Sequence, residues 1–222
     1  MCGRFVLDSP VDIIVKEFDV ERPSFNIKKN FNVSPSQTVL LLIFDGKRRL
    51  IPCRWGYIPS WSKDESIGNR MINARAETIT EKPSFKNAFK KRRCLIIADG
   101  FYEWQHRENN KSPFFIRLKS NRPFGLAGLY NVWTSPDGKL LCTCTIITTG
   151  SNRILREVHG RMPAIISKKK YDVWLDPAIN DSSELLPLLQ PYPADEIEFF
   201  EVSKRVNSPK NDSPENIQPL HP

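Results

Sequence analysis

Cys2 is the residue whose position most constrains the chemistry open to this chain. Methionine aminopeptidases remove Met1 when the second side chain is small, so Cys2 is the expected mature N-terminus. Its α-amine, with a pKa of about 7.7 to 8.0, and its thiol, near about 8.5, then lie on adjacent carbons and are both partly reactive near neutral pH. Such a 1,2-aminothiol condenses with an aldehyde to a Schiff base. It then closes a five-membered thiazolidine when the sulfur adds to the imine carbon. No internal cysteine offers both nucleophiles. The plainer reading is an inert second residue.

Other side chains carry a chemical reading beside a plain one. Glu103 sits in GFYEW between Phe101, Tyr102 and Trp104, and partial desolvation there raises a carboxyl toward general-acid range; otherwise it is a strand glutamate facing water. In RMINARAET, period-2 alternation puts Asn73, Arg75 and Glu77 on one face and Ile72, Ala74 and Ala76 on the other. That is either a rigid strand presenting an amide and a cation to a ligand, or a half-exposed sheet edge. His159, with Arg161 two residues on, follows a predicted helix over SNRILREV whose C-terminus favours imidazolium. Without a partner it is only a helix-terminal histidine. Arg4 reads as a surface charge. Trp55 and Trp61 bracket WGYIPSW as core residues or as a stacking platform for unpaired bases. Lys90, Lys91, Arg92 and Arg93 are the solvated end of a helix or part of a phosphate track.

The elements that must position these groups are mostly strands. TVLLLIF, the Asp45-Gly46 turn and KRRLIPCRW form a β-hairpin. RCLIIAD, GFYEWQ, PFFIRL, FGLAGLY and LLCTCTIITT follow as strands, separated by the turn chemistry of NNK, SNRP and SPDGK. Short helices are expected at PVDIIVKEF behind a Ser9 cap with Pro10 at its first position, and at SFKNAFKK. Others follow at SNRILREV behind Ser151, at SKKKYDVWL behind Ser167, and at SSELLPLL. The order predicts an α+β fold with a mainly antiparallel β core, barrel-like or strongly curved, and peripheral short helices. Eighteen prolines imply long ordered loops. The chain reads as one domain over 1–222, with 203–222 an irregular segment that is either a tail or a strap.

Composition bounds the function. At 222 residues, 40% hydrophobic and 26% charged, the chain is an ordinary globular protein with a sizeable core. Its longest apolar run, residues 39–44, is too short to span a membrane. The start of the chain carries no segment of signal-peptide length, which places the protein in the cytoplasm. A formal charge of +8 favours a polyanionic partner. Five cysteines without an export signal are expected as reduced thiols. Cys142 and Cys144 share one face of a predicted strand and read as core. His106, His159 and His221 are scattered without zinc-ligand spacing, so neither metal nor cofactor is expected.

The ordered set MCGRF, NVSP, WGYIPSW, INARAET, GFYEW, HGRMP and VSKRVN…IQPL, running from Met1 to about Leu220, resembles the SOS-response-associated peptidase (SRAP) family of abasic-site processing proteins. The resemblance implies a β-rich α+β fold, a basic groove for single-stranded DNA and covalent capture of abasic sites, with nucleoid association when bound. It implies Cys2 as nucleophile, Asn73 orienting it, Glu103 as acid or base and His159 assisting proton transfer at the sugar. It places Arg75 and Arg161 on phosphates, and Arg4, Trp61 and Trp104 in the groove or its wall. A monomer with lyase-like Schiff-base chemistry is expected. Two alternatives stay open: a cysteine peptidase using Cys2 with His159 and Asn73, and a non-covalent reader of modified or single-stranded DNA.

Overall fold

A computed structural model describes residues 2–107 and 110–221, and the side chains of 107 and 110 are left aside. In chain order the regular elements are β1 (Phe5–Leu7), α1 (Val11–Phe18), β2 (Asn30–Val33), β3 (Thr38–Phe44), β4 (Arg48–Trp55), β5 (Asn73–Arg75), α2 (Lys86–Lys91), β6 (Arg93–Ala98) and β7 (Gly100–Arg107). They continue with β8 (Asn110–Leu118), β9 (Phe124–Thr134), β10 (Leu140–Gly150), β11 (Arg161–Pro163), β12 (Ile165–Ile166), α3 (Tyr171–Leu175), α4 (Ser182–Leu185) and β13 (Ile197–Glu201).

The order β10-β4-β3-β6-β9, closed by β9 pairing back on β10, makes a five-stranded barrel. A second sheet, β13-β8-β7-β1-β2, packs beside it. The α+β architecture with a mainly antiparallel β core is therefore as the sequence predicts. Two pairings depart from it, because β10 runs parallel to β4 and to β5. These pairings join strands far apart in sequence, which local patterning cannot see.

The TVLLLIF run is uniformly apolar because both faces of β3 are buried. Val39, Leu41 and Ile43 enter the cluster that fills the barrel, while Leu40 and Leu42 face outward to Ile14 and Phe18 of α1 and Trp174 of α3. The turn into β4 is made at Gly46, whose φ of +92° suits glycine. Pro52 is tolerated because β10 pairs β4 only from Arg54 onward, so no ladder partner needs its missing N–H. Gly128 is required where β9 is squeezed between neighbours: a Cβ there would lie 2.2 Å from Ile96 Cδ1 and 3.0 Å from the Thr145 carbonyl.

Several helix expectations are corrected. Pro10, not Ser9, caps α1; the Ser9 hydroxyl and N–H both go to the Asp99 carboxylate, at 2.5 and 2.9 Å. SNRILREV is not a helix but a single 3₁₀ turn at Leu155–Glu157. Asn152 takes the Leu155 N–H at 3.0 Å, and the Ser151 hydroxyl donates to the His159 carbonyl at 2.6 Å, so side chains fold the segment into a compact loop. Ser167 makes no side-chain cap, and SKKK is a 3₁₀ turn leading into α3. In SSELLPLL only Ser182–Leu185 is α-helical, capped by Asp181. The basic run is corrected too. Arg93 is buried, donating to the carbonyls of Phe89, Lys90, Trp174, Asp176 and Ile179. Desolvation lowers its pKa to about 10. The NNK turn includes Asn109, which lies outside the described residues.

Residues 203–221 form a strap. Val206 and Asn216 are fully buried, and Val202 and Val206 pack with Val6, Tyr102 and Phe115 on the outer face of the second sheet.

Candidate functional site

The site is assembled by strand register. β1 pairs antiparallel with β7 at Phe5–Phe101 and Val6–Gly100, and Tyr102 N–H donates to the Arg4 carbonyl at 2.9 Å. Continuing that register brings Cys2 and Gly3 alongside Glu103 and Trp104. Cys2 packs with Phe5, Trp55 and Phe101 in the barrel cluster, whereas Arg4 lies over Trp104 on the other face, so the strand alternation ends at Gly3. From the barrel side, β5 hangs on β10 through Asn73–Ile146, and the Asn73 amide donates to the Cys2 carbonyl at 2.8 Å. The Asn73 side-chain oxygen is buried without a partner among the described residues.

Glu103 is 5% exposed. Phe101, Ile116, Leu155, Val158, His159 and Arg161 line the same small cavity. Of the three flanking aromatics, Phe101 shares the cavity, whereas Tyr102 and Trp104 lie on the opposite face of β7; Ile116, Leu155 and Val158 complete the shell that excludes water. Burial pushes the carboxyl up, with His159 and the Trp104 backbone N–H opposing. The Cys2 thiol, fully buried, is pushed up by desolvation and then by Glu103 when ionised, with the Arg4 N–H opposing. Burial thus favours the neutral thiol over the thiolate.

His159 is not at a helix C-terminus. Its Nδ1 lies 3.0 Å from the Arg161 N–H and 3.1 Å from the Arg161 carbonyl oxygen. That nitrogen accepts from the N–H when it carries no proton and donates to the carbonyl when it does, so the backbone holds the ring in either case. Arg161 itself forms a bidentate pair with Glu77 at 2.7 and 3.0 Å and donates to the Thr148 carbonyl at 2.6 Å. The pair lowers the Glu77 pKa through the Arg161 hydrogen bond. Glu77 reaches it because the strand carrying Asn73 and Arg75 turns into a 3₁₀ segment at Ala76–Thr78 instead of staying extended.

Arg75 and Trp61 are exposed, Trp61 at 63%. Trp104 is half-buried between Arg4 at 5.8 Å and Lys111 at 5.4 Å, with its indole N–H on Asn207 at 2.8 Å. Arg4 is largely committed to Asn32 and the Val206 carbonyl, at 2.6 and 2.8 Å, which ties the strap to the site. The structure thus brings Cys2, Asn73, Glu103 and His159 to one place with Arg161 at its edge, and sets Arg4 and Trp104 on the reverse of β7. Sequence reasoning missed Thr148, Lys111 and Asn207. Nothing in TIITT distinguishes Thr148 from a core threonine. No cluster of His, Cys, Asp and Glu among the described residues is arranged to hold a metal ion.

A β-barrel that buries a cysteine at the second position of the chain beside Asn73 and Glu103 narrows the class of protein. The chain belongs to the SOS response associated peptidase (SRAP) family, whose sequence profile matches residues 1–209. It is 49% identical over 222 residues to the abasic site processing protein YoqW of Bacillus subtilis, covering 98% of this chain and 99% of that one. It is 36% identical to the abasic site processing protein HMCES of Mus musculus, over 99% of this chain and 76% of that one. A solved structure of a protein from Bacteroides thetaiotaomicron shares the fold with a TM-score of 0.87 at 25% identity, covering 98% of this chain and 99% of that one.

Proposed function

We propose that the protein processes abasic sites in single-stranded DNA by forming a covalent thiazolidine through Cys2, shielding the lesion from strand cleavage. The observation that carries this reading is the convergence of Glu103 and Asn73 on the second residue of the chain. An abasic site is a masked aldehyde. Burial favours the protonated form of the Glu103 carboxyl, and that acid donates a proton to the deoxyribose ring oxygen as the hemiacetal opens. With Met1 removed, the Cys2 amine attacks C1′ and the carbinolamine loses water to give the iminium. The thiol then adds to C1′ and its proton passes to the Glu103 carboxylate. His159, poised to accept or donate, assists proton transfer at the sugar. Arg75 and Arg161 hold flanking phosphates, Trp61 and Trp104 offer base-stacking surface, and Arg4 braces the wall. Lyase-like strand cleavage follows from the same iminium when ring closure fails.

The peptidase alternative is less well supported. A cysteine protease needs a thiolate beside an imidazole, whereas here burial opposes ionisation of Cys2. The test is the intact mass of the protein before and after incubation with a single-stranded abasic oligonucleotide. The expected result is one stoichiometric adduct that survives denaturation. Its absence, or its formation by protein retaining Met1, refutes the mechanism.

A further inference from the structure

Four of the five cysteines lie away from the aldehyde chemistry, and the barrel gathers them. β4 and β10 run parallel with Arg54 opposite Thr143 and Trp55 opposite Cys144. Continuing that register by one residue sets Cys53 against Cys142. Cys53 and Cys144 lie in the cluster that fills the barrel and Cys142 packs against it, so the three thiols are neighbours. We infer that Cys53 and Cys142 form a reversible dithiol–disulfide pair on the barrel wall that reacts with peroxide while Cys2 stays reduced.

Three observations decide the pairing. Neighbouring strands stand about 4.8 Å apart, inside the roughly 4.4–6.8 Å range of Cα separations that a disulfide bridges. Cys142 and Cys144 are successive residues on one face of a single strand, and their parallel side chains keep the Cβ atoms about 6.6 Å apart, beyond the roughly 3.5–4.5 Å that a disulfide needs. Cys142 is the half-buried member, whereas Cys53, Cys94 and Cys144 are buried. Its thiol is also favoured as the nucleophile, because the hydrogen bond from Cys53 lowers its pKa. Desolvation instead raises those of Cys53, Cys94 and Cys2.

The chemistry balances. The Cys142 thiolate attacks the peroxide O–O bond, giving a sulfenic acid and hydroxide. The Cys53 sulfur attacks that sulfenic sulfur, loses its proton and expels water. Two thiols are oxidised by two electrons and one hydrogen peroxide becomes two waters. The bridge pins the parallel seam that helps close the barrel, on the same strand whose Ile146 and Gly150 hold Asn73 and Arg161. The inference is independent of the lesion chemistry.

The experiment treats the folded, full-length protein with graded hydrogen peroxide, blocks residual thiols after unfolding with N-ethylmaleimide, and maps the peptides. The expected product is a dithiothreitol-reversible link between the Cys53 and Cys142 peptides, with Cys2 and Cys94 alkylated. In Cys53→Ala, Cys142 stops as a sulfenic acid that a 1,3-dione traps. Four outcomes overturn the inference: Cys2 oxidised at the same dose as Cys142, a bridge to Cys144 instead, sulfenic acid at Cys142 that never links in the unmutated protein, or no oxidation at a dose that oxidises the urea-unfolded chain.

Discussion

The side-chain amide of Asn73 donates to the backbone carbonyl of Cys2 at 2.8 Å, so the second residue of the chain is fixed by a strand that is itself paired to barrel strand β10. Asn73→Ala removes that donor and leaves the nucleophile free to shift. Misplacement by about 1 Å costs on the order of 10²-fold in rate. The expected outcome is slower crosslinking of an abasic single strand, measured as a single-turnover rate, with a loss of only about 0.5–1.5 kcal/mol in urea unfolding. An unchanged rate would make Asn73 a strand residue only.

Glu103 offers a pH test whose sign is fixed. Folding raises its pKa, so the native state holds the proton more tightly than the unfolded chain. Its contribution to stability is full below the ordinary glutamate value and is lost as pH rises through the raised one. Glu103→Gln is expected to be more stable than the unmutated protein at pH 8, with the advantage shrinking toward acid, as read from urea midpoints. The same variant slows crosslinking by about 10²- to 10⁴-fold with DNA binding retained. A pH-independent difference in stability, or a normal rate, refutes the assignment.

The strands and the hairpin were legible in the sequence because each is decided by local alternation and turn chemistry. The site residues could be nominated one by one, but their meeting depends on long-range pairings: β1 on β7, β5 on β10, and β11 on β10. The loop over 151–159 was misread because its apolar residues have helical spacing, while Ser151 and Asn152 compete for the backbone with their own side chains. Arg93 was indistinguishable from its neighbours as a letter in a basic run.

The Arg161–Glu77 pair sets up a competition between a carboxylate and a phosphate. Glu77→Gln releases the guanidinium and is expected to tighten binding of an undamaged single strand, steepening the log–log salt dependence by up to about 0.7. Arg161→Ala and Arg75→Ala each flatten it by about the same amount. Salt slopes from anisotropy titrations decide this, and a slope indifferent to all three changes removes both arginines from the phosphate track.

Arg93 belongs to a different account. Hydrogen bonds from a charged donor contribute roughly 1.5–3 kcal/mol each, and Arg93 serves five carbonyls at the junction of α2 and α3. Arg93→Met is expected to cost about 3 kcal/mol or more in urea unfolding while leaving the salt slope of DNA binding unchanged. A flatter slope with stability intact returns the residue to the phosphate track.

The aminothiol itself can be dissected atom by atom. Cys2→Ala keeps an α-amine but no sulfur, so it stops at the Schiff base, which borohydride traps and which otherwise hydrolyses or cleaves the strand. Cys2→Ser offers an oxygen nucleophile, and its oxazolidine is expected to be more labile than the thiazolidine. Retention of Met1 behind an uncleaved tag converts the Cys2 nitrogen to an amide and removes both products. Burial disfavours the Cys2 thiolate; ring closure is therefore expected to depend on Glu103, ionised once it has given up its own proton, taking the proton of the thiol. Glu103→Gln is accordingly expected to accumulate borohydride-trappable intermediate relative to heat-stable product, whereas Asn73→Ala slows both together. Denaturing gels of each variant with an abasic single strand, run with and without borohydride, separate these cases. A heat-stable crosslink from protein with a blocked amine would transfer the chemistry to an internal nucleophile.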